Sequence, residues 1–407
     1  MTPPPATSAA QQAPSGTPQE VLLVFLKLGL TCFGGPIAHL GYFRDEFVVR
    51  RRWLDEQSYG DLVGLCQFLP GPASSQVGFA IGLKRAGALG ALAAWTGFTL
   101  PSALALVLFA YGAAALDGPL GTGLLHGLKL TAVAIVAQAV WGMSRQLCPD
   151  RERATIAVAA ALIVLLSAMP IAQLGAIALG GIAGILWCRS DALQHFGAVG
   201  ARVSRPIGVA ALLGFVVLLL GLPLLAQSSG SSIVAAFDAF YRSGALVFGG
   251  GHVVLPLLRD AFVGPGWVSD DAFLAGYGAA QAVPGPLFSF AAYLGAIAAP
   301  VRGLVGAAIG LVGIFLPGFL ILLGVLPFWH GLRRYPAAQA MMRGVNAAVV
   351  GLLGAALYSP VWISTIRGTA DVAIALIGFA LLTIWRAPPL VVVAFSAAAG
   401  IAGALLN

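Results

Sequence analysis

The chain writes one sentence twice. FLKLGLTCFGG (25–35) returns as FYRSGALVFGG (240–250), 215 residues later. Trp53 returns as Trp267 and QFLPGP (67–72) as QAVPGP (281–286), both at an offset of 214, and GFTLP (97–101) returns as GIFLP (313–317) at 216. TAVAIV (131–136) falls against AAVVGL (347–352), also at 216. The order is kept and the offset drifts by a residue or two, so the chain must fold as two homologous halves. We expect a tail over 1–19, a first repeat over 20–190, a linker with a connecting helix over 191–233, and a second repeat over 234–407.

The halves are built of apolar runs. Of 407 residues 59% are hydrophobic and 9% charged, against about 25% charged in soluble domains. The runs approach the ~20 residues that carry a helix across a bilayer, and the ~10-residue alternation of a membrane β-barrel is missing. The reading is an all-α, polytopic membrane protein. Its first half carries segments at 20–51, 57–83, 87–115, 121–145, 153–168 and 170–187; its second, at 235–257, 271–299, 302–328, 337–360, 369–385 and 388–406. One further apolar stretch, 206–226, joins them. An even number of crossings per half plus one connector turns the second half upside down, which is the inverted repeat of many transporters.

The net charge of +7 comes from basic residues lying singly or in small groups between the runs. That pattern speaks for membrane orientation rather than for nucleic acid. Cys32, Cys66, Cys148 and Cys188 are scattered and form no metal or disulfide pattern. Residues 1–19, rich in Pro, Ser, Thr and Gln without a Lys or Arg, read as a disordered tail rather than a signal peptide. Arg outnumbers Lys 19 to 3, which hints at a GC-rich bacterial genome.

Two topologies compete. If all thirteen segments span, the loop basic residues divide 13 to 6 between the two sides. If the first two segments of each half are broken or re-entrant hairpins, turning at FGG and PGP, the division becomes 16 to 3. The positive-inside rule favours the second, with the N-terminus cytoplasmic and the C-terminus periplasmic.

The breaks are the candidate site: Phe33, Gly34, Gly35 and Pro36; Pro70, Gly71 and Pro72, followed by Ser74 and Ser75; Phe248, Gly249, Gly250 and Gly251; Pro284, Gly285 and Pro286. Helices restarting there leave backbone N–H groups without partners, at the positive end of the helix, with glycines that let a ligand approach. An anion is the natural partner, and the competing reading is a packing kink. Lys27 and Arg242, at equivalent places in the two halves, suit a doubly charged anion, or else snorkel to an interface. Lys129 is a further cation inside a run, without a mate. Gln67 and Gln281 precede the PGP turns and could donate to a substrate or cap the turns. His39, Asp61 and His252 are candidates for proton coupling; the histidines could equally be packing residues, and Asp61 a solvated half-helix residue.

FGGP with FGGGH, QFLPGP with QAVPGP, and FTLP with IFLP together resemble the bacterial chromate ion transporters in their long, two-half form, over nearly everything but the tail and connector. The resemblance implies export of chromate across the inner membrane, driven by the proton-motive force, giving chromate resistance and needing no cofactor. The chain has no G-x-x-x-x-G-K-[ST] phosphate loop. Chromate and sulfate are alike as tetrahedral dianions, so a general oxyanion carrier stays open, as does a passive anion channel. An enzyme is disfavoured, since neither GxSxG nor HExxH occurs. Small-residue-rich segments could pack within one chain or between two in a homodimer.

Overall fold

The computed structural model describes residues 16–33, 35–113, 118–167, 172–188, 203–248, 251–329 and 335–406, and every regular element among them is helical. Helix α1 (Pro18–Thr31) opens on a Thr17 cap, whose hydroxyl accepts from the Glu20 N–H at 3.1 Å. Its 14 residues cover about 21 Å, short of a bilayer's ~30 Å core. The chain leaves the helix at Cys32 and restarts as α2 (Gly35–Arg44), which runs through a π-helical turn, Asp45–Arg50. There Arg51 comes within 3.9 Å of Glu20, near the start of α1. The chain has gone in and come back.

The next pair does the same. Asp55 caps α3 (Glu56–Phe68) by accepting from the Ser58 N–H and hydroxyl, and these bonds hold its carboxyl below the ordinary carboxylate range. After the turn at 69–72, α4 (Ala73–Ala113) runs out along a short arm, 73–85, and folds back at Ala86–Gly87, where Gly87 has φ +66°. Gly82 packs on Gly90 and Ala94 across the fold. Arg85, ending the short arm, reaches Glu20 at 3.3 Å and lies 4.8 Å over the Trp53 ring. Both early segments therefore return to the level they left. Of the two expected topologies, the hairpin one is found.

The second half repeats these contacts. It comprises α9 (Ser232–Ala245), α10 (Val254–Phe262) entered through a short turn Gly251–Val253, α11 (Asp270–Ala280), α12 (Phe290–Ile297) entered through Leu287–Ser289, and α13 (Gly303–Val325). Phe25 stacks on Phe47 at 5.0 Å and Phe47 on Trp53 at 5.1 Å; their counterparts Phe240, Phe262 and Trp267 pack at 4.4 and 5.6 Å. The ion pair Arg44–Glu56 (2.6 Å) is mirrored by Arg259–Asp270 (2.8 Å). Gly29 lies against the Phe98 carbonyl, and its counterpart Gly244 against that of Ile314. These small residues let each half-helix lie backbone to backbone on the long helix of its own half.

The long arm of α4 shows the inversion. It leaves the base of the first-half hairpins beside Arg85. It ends with Phe109 at 5.8 Å from the Tyr293 ring and Tyr111 beside Gly303, at the base of the second-half hairpins. The two hairpin pairs thus enter from opposite ends of one helix.

The remaining helices are exchanged between the halves. In the first half they are α5 (Gly118–Leu147), α6 (Arg151–Leu166) and α7 (Ala172–Trp187); in the second, α14 (Pro336–Ala356, continuing to Thr365), α15 (Thr369–Thr383) and α16 (Pro389–Leu406). Helix α5 packs along α15 and α16, with Gly123 and Gly127 against the backbone of 396–401, while α14 packs along α6 and α7, with Gly344 against Gly180 and Gly184. Helix α8 (Arg205–Ser229) joins the halves with most of its apolar surface exposed. Six helices among the described residues are long and apolar enough to cross a bilayer, and the protein is a multi-pass membrane protein.

The inversion is checked by labelling. An impermeant thiol reagent should reach Arg52→Cys from the side of the N-terminus and Pro265→Cys from the other. Labelling of both from one side would contradict it.

Candidate functional site

The four hairpin tips meet, and they are sewn together across the halves. The Gly71 N–H donates to the Val247 carbonyl at 2.7 Å, and the Gly285 N–H to the Cys32 carbonyl at 2.8 Å. Gly71 and Gly285 are equivalent in the repeat, and so are Cys32 and Val247. Each PGP turn thus fills the last carbonyl before the FGG break of the other half. Gly71 has φ +117° and Gly285 φ +99°, a region that excludes most side chains. A Cβ on Gly71 would stand 3.0 Å from the Gly318 Cα, and one on Gly285 would stand 2.9 Å from the Ser102 hydroxyl.

The pseudo-twofold axis passes where Pro36 faces Gly251, its own counterpart. A Cβ on Gly251 would lie 3.1 Å from Pro36 Cγ. A second proline here would press on the Pro36 ring, and glycine at 251 avoids that contact.

Beside the tips the halves use different clasps. In the first, the buried Gln76 amide donates to the Pro70 and Gly318 carbonyls, both at 2.9 Å, tying the turn to α13. In the second, where Phe290 replaces Gln76, the Ser102 and Ser289 hydroxyls bond at 2.6 Å. Gln76 was not among the residues expected at the site. It has no polar mate in the other half, and its one signal is an amide set in an apolar run.

Three helical segments begin at this centre: α2 at Gly35, α4 at Ala73, and the turn Leu287–Ser289 that leads into α12. The N–H groups of a first turn have no partner inside their helix. Around them, Ser75 Oγ, Thr99 Oγ1, Gln281 Nε2 and His39 Nε2 are buried without a hydrogen-bond partner. Three of these are donors, and imidazole Nε2 is one in the appropriate tautomer. His39 also faces Ser74, Nδ1 to Oγ at 3.4 Å, and sets its ring edge-on to Phe98 at 5.2 Å. His252 Nδ1 lies 2.7 Å from the Tyr277 hydroxyl.

Of the expected residues, Phe33, Gly35, Pro36, Pro70, Gly71, Pro72, Ser74, Ser75, Phe248, Gly251, His252, Gln281, Pro284, Gly285 and Pro286 all lie on the segments that converge. Gly34, Gly249 and Gly250 lie outside the described residues. Gln67 is exposed, and the turn is clasped by Gln76 instead. Asp61 is buried in α3, which removes its solvated reading. Lys27 and Arg242 are exposed on α1 and α9. Arg242 makes a two-pronged bond to buried Asp238 one turn earlier, at 2.9 and 2.6 Å, a partner the sequence reading missed. Lys129 is buried and bonds Asp271 at 2.7 Å, at the base of a hairpin rather than its tip.

The family model for the chromate transporter matches the chain twice, over residues 19–185 and 234–401. The chain is 30% identical to the chromate transport protein of Pseudomonas aeruginosa over 407 aligned residues, 98% of this chain and 95% of the relative. It is 26% identical to the chromate transport protein of Cupriavidus metallidurans, covering 87% and 86% of the two chains. To the probable chromate transport protein of Synechococcus elongatus it is also 26% identical, covering 84% of each. No solved structure matches the chain.

Replacing Gln76 by Leu leaves the Pro70 and Gly318 carbonyls buried without their donor, at about 1–3 kcal/mol for each unmet group. We expect Gln76→Leu to lower the thermal midpoint of the purified protein in detergent clearly, and Gln67→Leu, at an exposed position, to leave it unchanged.

Proposed function

Since the chain belongs to the chromate transporter family, we propose that it is a secondary transporter carrying chromate outward across the bacterial inner membrane, driven by the proton-motive force, and so confers chromate resistance. In this reading the N-terminus is cytoplasmic and the C-terminus periplasmic, which places Arg44 to Arg52 and Lys84 with Arg85 on the cytoplasmic side.

One observation carries the substrate class: helix starts from both halves converge among buried donors that have no protein partner. A tetrahedral dianion brings four oxygens, each an acceptor. The first-turn N–H groups of α2, α4 and the turn before α12 supply donors with a favourable dipole. The Ser75 hydroxyl, the Gln281 amide and His39 supply more. Such donors count oxygens and charge rather than identify the central atom, so sulfate is the expected competitor.

Charge comes from outside the tip. Lys27 lies five residues before Cys32 in α1, about 7 Å along the axis. Its mate Arg242 is already matched by Asp238. The two mirror cations are therefore unequal in the field they offer an anion, with Lys27 the stronger.

The deciding measurement is uptake of labelled chromate into everted, respiring membrane vesicles, with and without an uncoupler and with excess sulfate. Accumulation that an uncoupler abolishes supports the proposal. Accumulation indifferent to the uncoupler would replace the carrier with a passive pathway, and uptake lost to sulfate would broaden the substrate to oxyanions at large. At matched protein levels, Lys27→Ala should raise the apparent KM for chromate more than Arg242→Ala does. Unchanged KM in both would remove these residues from the path.

A further inference from the structure

Away from the tips, at the base of the second-half hairpins, the protein forms a half-open cavity of about 340 Å³. Its described walls come from the end of α6, the start of α7, the far end of α14, and α10, so both halves build it. Two polar side chains meet in its wall. Gln173, on α7 and buried, donates its amide to Asp260 Oδ2 at 2.5 Å. The amide oxygen of Gln173 is also buried, and has no partner. Asp260, at the end of α10, is open to solvent.

We propose that Asp260 is the site at which a proton is loaded from the side opposite the N-terminus, a reading that rests on the proton-coupled transport proposed above. The amide of Gln173 is what makes the site two-state. Towards an ionised carboxylate it offers its N–H, the bond present in the structure. When a hydronium ion on that side gives its proton to Asp260 and leaves as water, the new O–H finds an acceptor in the amide oxygen that otherwise has none. Both protonation states are then hydrogen-bonded, at one residue, without moving the backbone. The proton leaves to the N-terminal side after the carrier reorients.

The charges around Asp260 fit. Arg259, its neighbour on α10, has its guanidinium bound in two prongs by Asp270 of α11, at 2.8 and 2.9 Å. Among the described residues, the cavity walls contributed by α6, α7 and α14 hold no charged side chain. Asp260 is therefore the carboxylate in that wall left for a proton. The site is also connected to the centre. Helix α10 and its entry turn run from Gly251, packed on Pro36, to Asp260 in nine residues, about 13 Å. One short rod therefore carries both the carboxylate and the tip contact.

The repeat supplies its own control. The counterpart of Asp260 is Asp45, whose side chain is 75% exposed and whose nearest cation is Arg44 at 3.9 Å. The position equivalent to Gln173 is Pro389, which offers no amide. Loading is asymmetric by construction.

The test separates proton coupling from anion movement. Asp260→Asn and Asp45→Asn are compared in everted vesicles by two assays: uphill accumulation of labelled chromate under respiration, and counterflow of labelled against unlabelled chromate without any gradient. We expect Asp260→Asn to lose uphill accumulation down to the de-energised level while counterflow persists and no longer varies with pH, and Asp45→Asn to keep both. Uphill accumulation by Asp260→Asn would overturn the assignment. So would loss of counterflow as well, which makes the residue a general requirement, or equal loss in Asp45→Asn. A wild-type protein that accumulates chromate after the proton gradient is collapsed would sink the coupled reading itself, and this site with it.

Discussion

Everything at the centre of this protein depends on how broken backbone is satisfied inside a membrane. An unpaired N–H or C=O in hydrocarbon costs several kcal/mol, and four hairpin tips bring many of them. The reciprocal bonds from Gly71 to Val247 and from Gly285 to Cys32 answer that cost in a particular way. Each half completes the FGG break of the other. The break is stable only when both halves are present and inverted, so the irregular backbone that exposes donors is also the backbone that joins the repeats. The glycine positive φ values, the close approach to Gly318 and Ser102, and the Gln76 clasp follow from this one requirement.

The exchange of outer helices points the same way. Helix α5 belongs by sequence to the first half and packs on α15 and α16; α14 belongs to the second and packs on α6 and α7. Glycines bring these backbones too close for the helices to slide apart cheaply. Moving one half as a block against the other would strip both long helices from their partners. Carriers built on inverted repeats bind at the repeat interface, and in this one the interface is made of its least regular segments.

Much of this was legible in the residues. The apolar runs placed the segments, the repeat offsets paired the first four of each half, and the bunching of Arg44, Arg50, Arg51 and Arg52 already leaned towards hairpins. Charge bias alone does not decide between two topologies; the contacts of Glu20 with Arg51 and Arg85 do, because they put the ends of both hairpins at one level. What the sequence hid were features without a mirror image. Gln76 faces Phe290 in the repeat, Asp238 faces Leu23, and Asp260 differs from Asp45 only in what the rest of the fold brings to it. Symmetry made the scaffold readable and made the departures from symmetry hard to rank.

The contact of Pro36 with Gly251 has a consequence for ancestry. A residue on a twofold axis meets itself. In an assembly of two identical half-length chains the same residue must stand on both sides, and at this spacing a proline would press on a proline. Joining the halves in one chain lifts that restriction at one place, letting one copy keep the stiff ring while the other gives it room. The axis is therefore the place where two identical partners are forced into a compromise and the two halves of one chain are not.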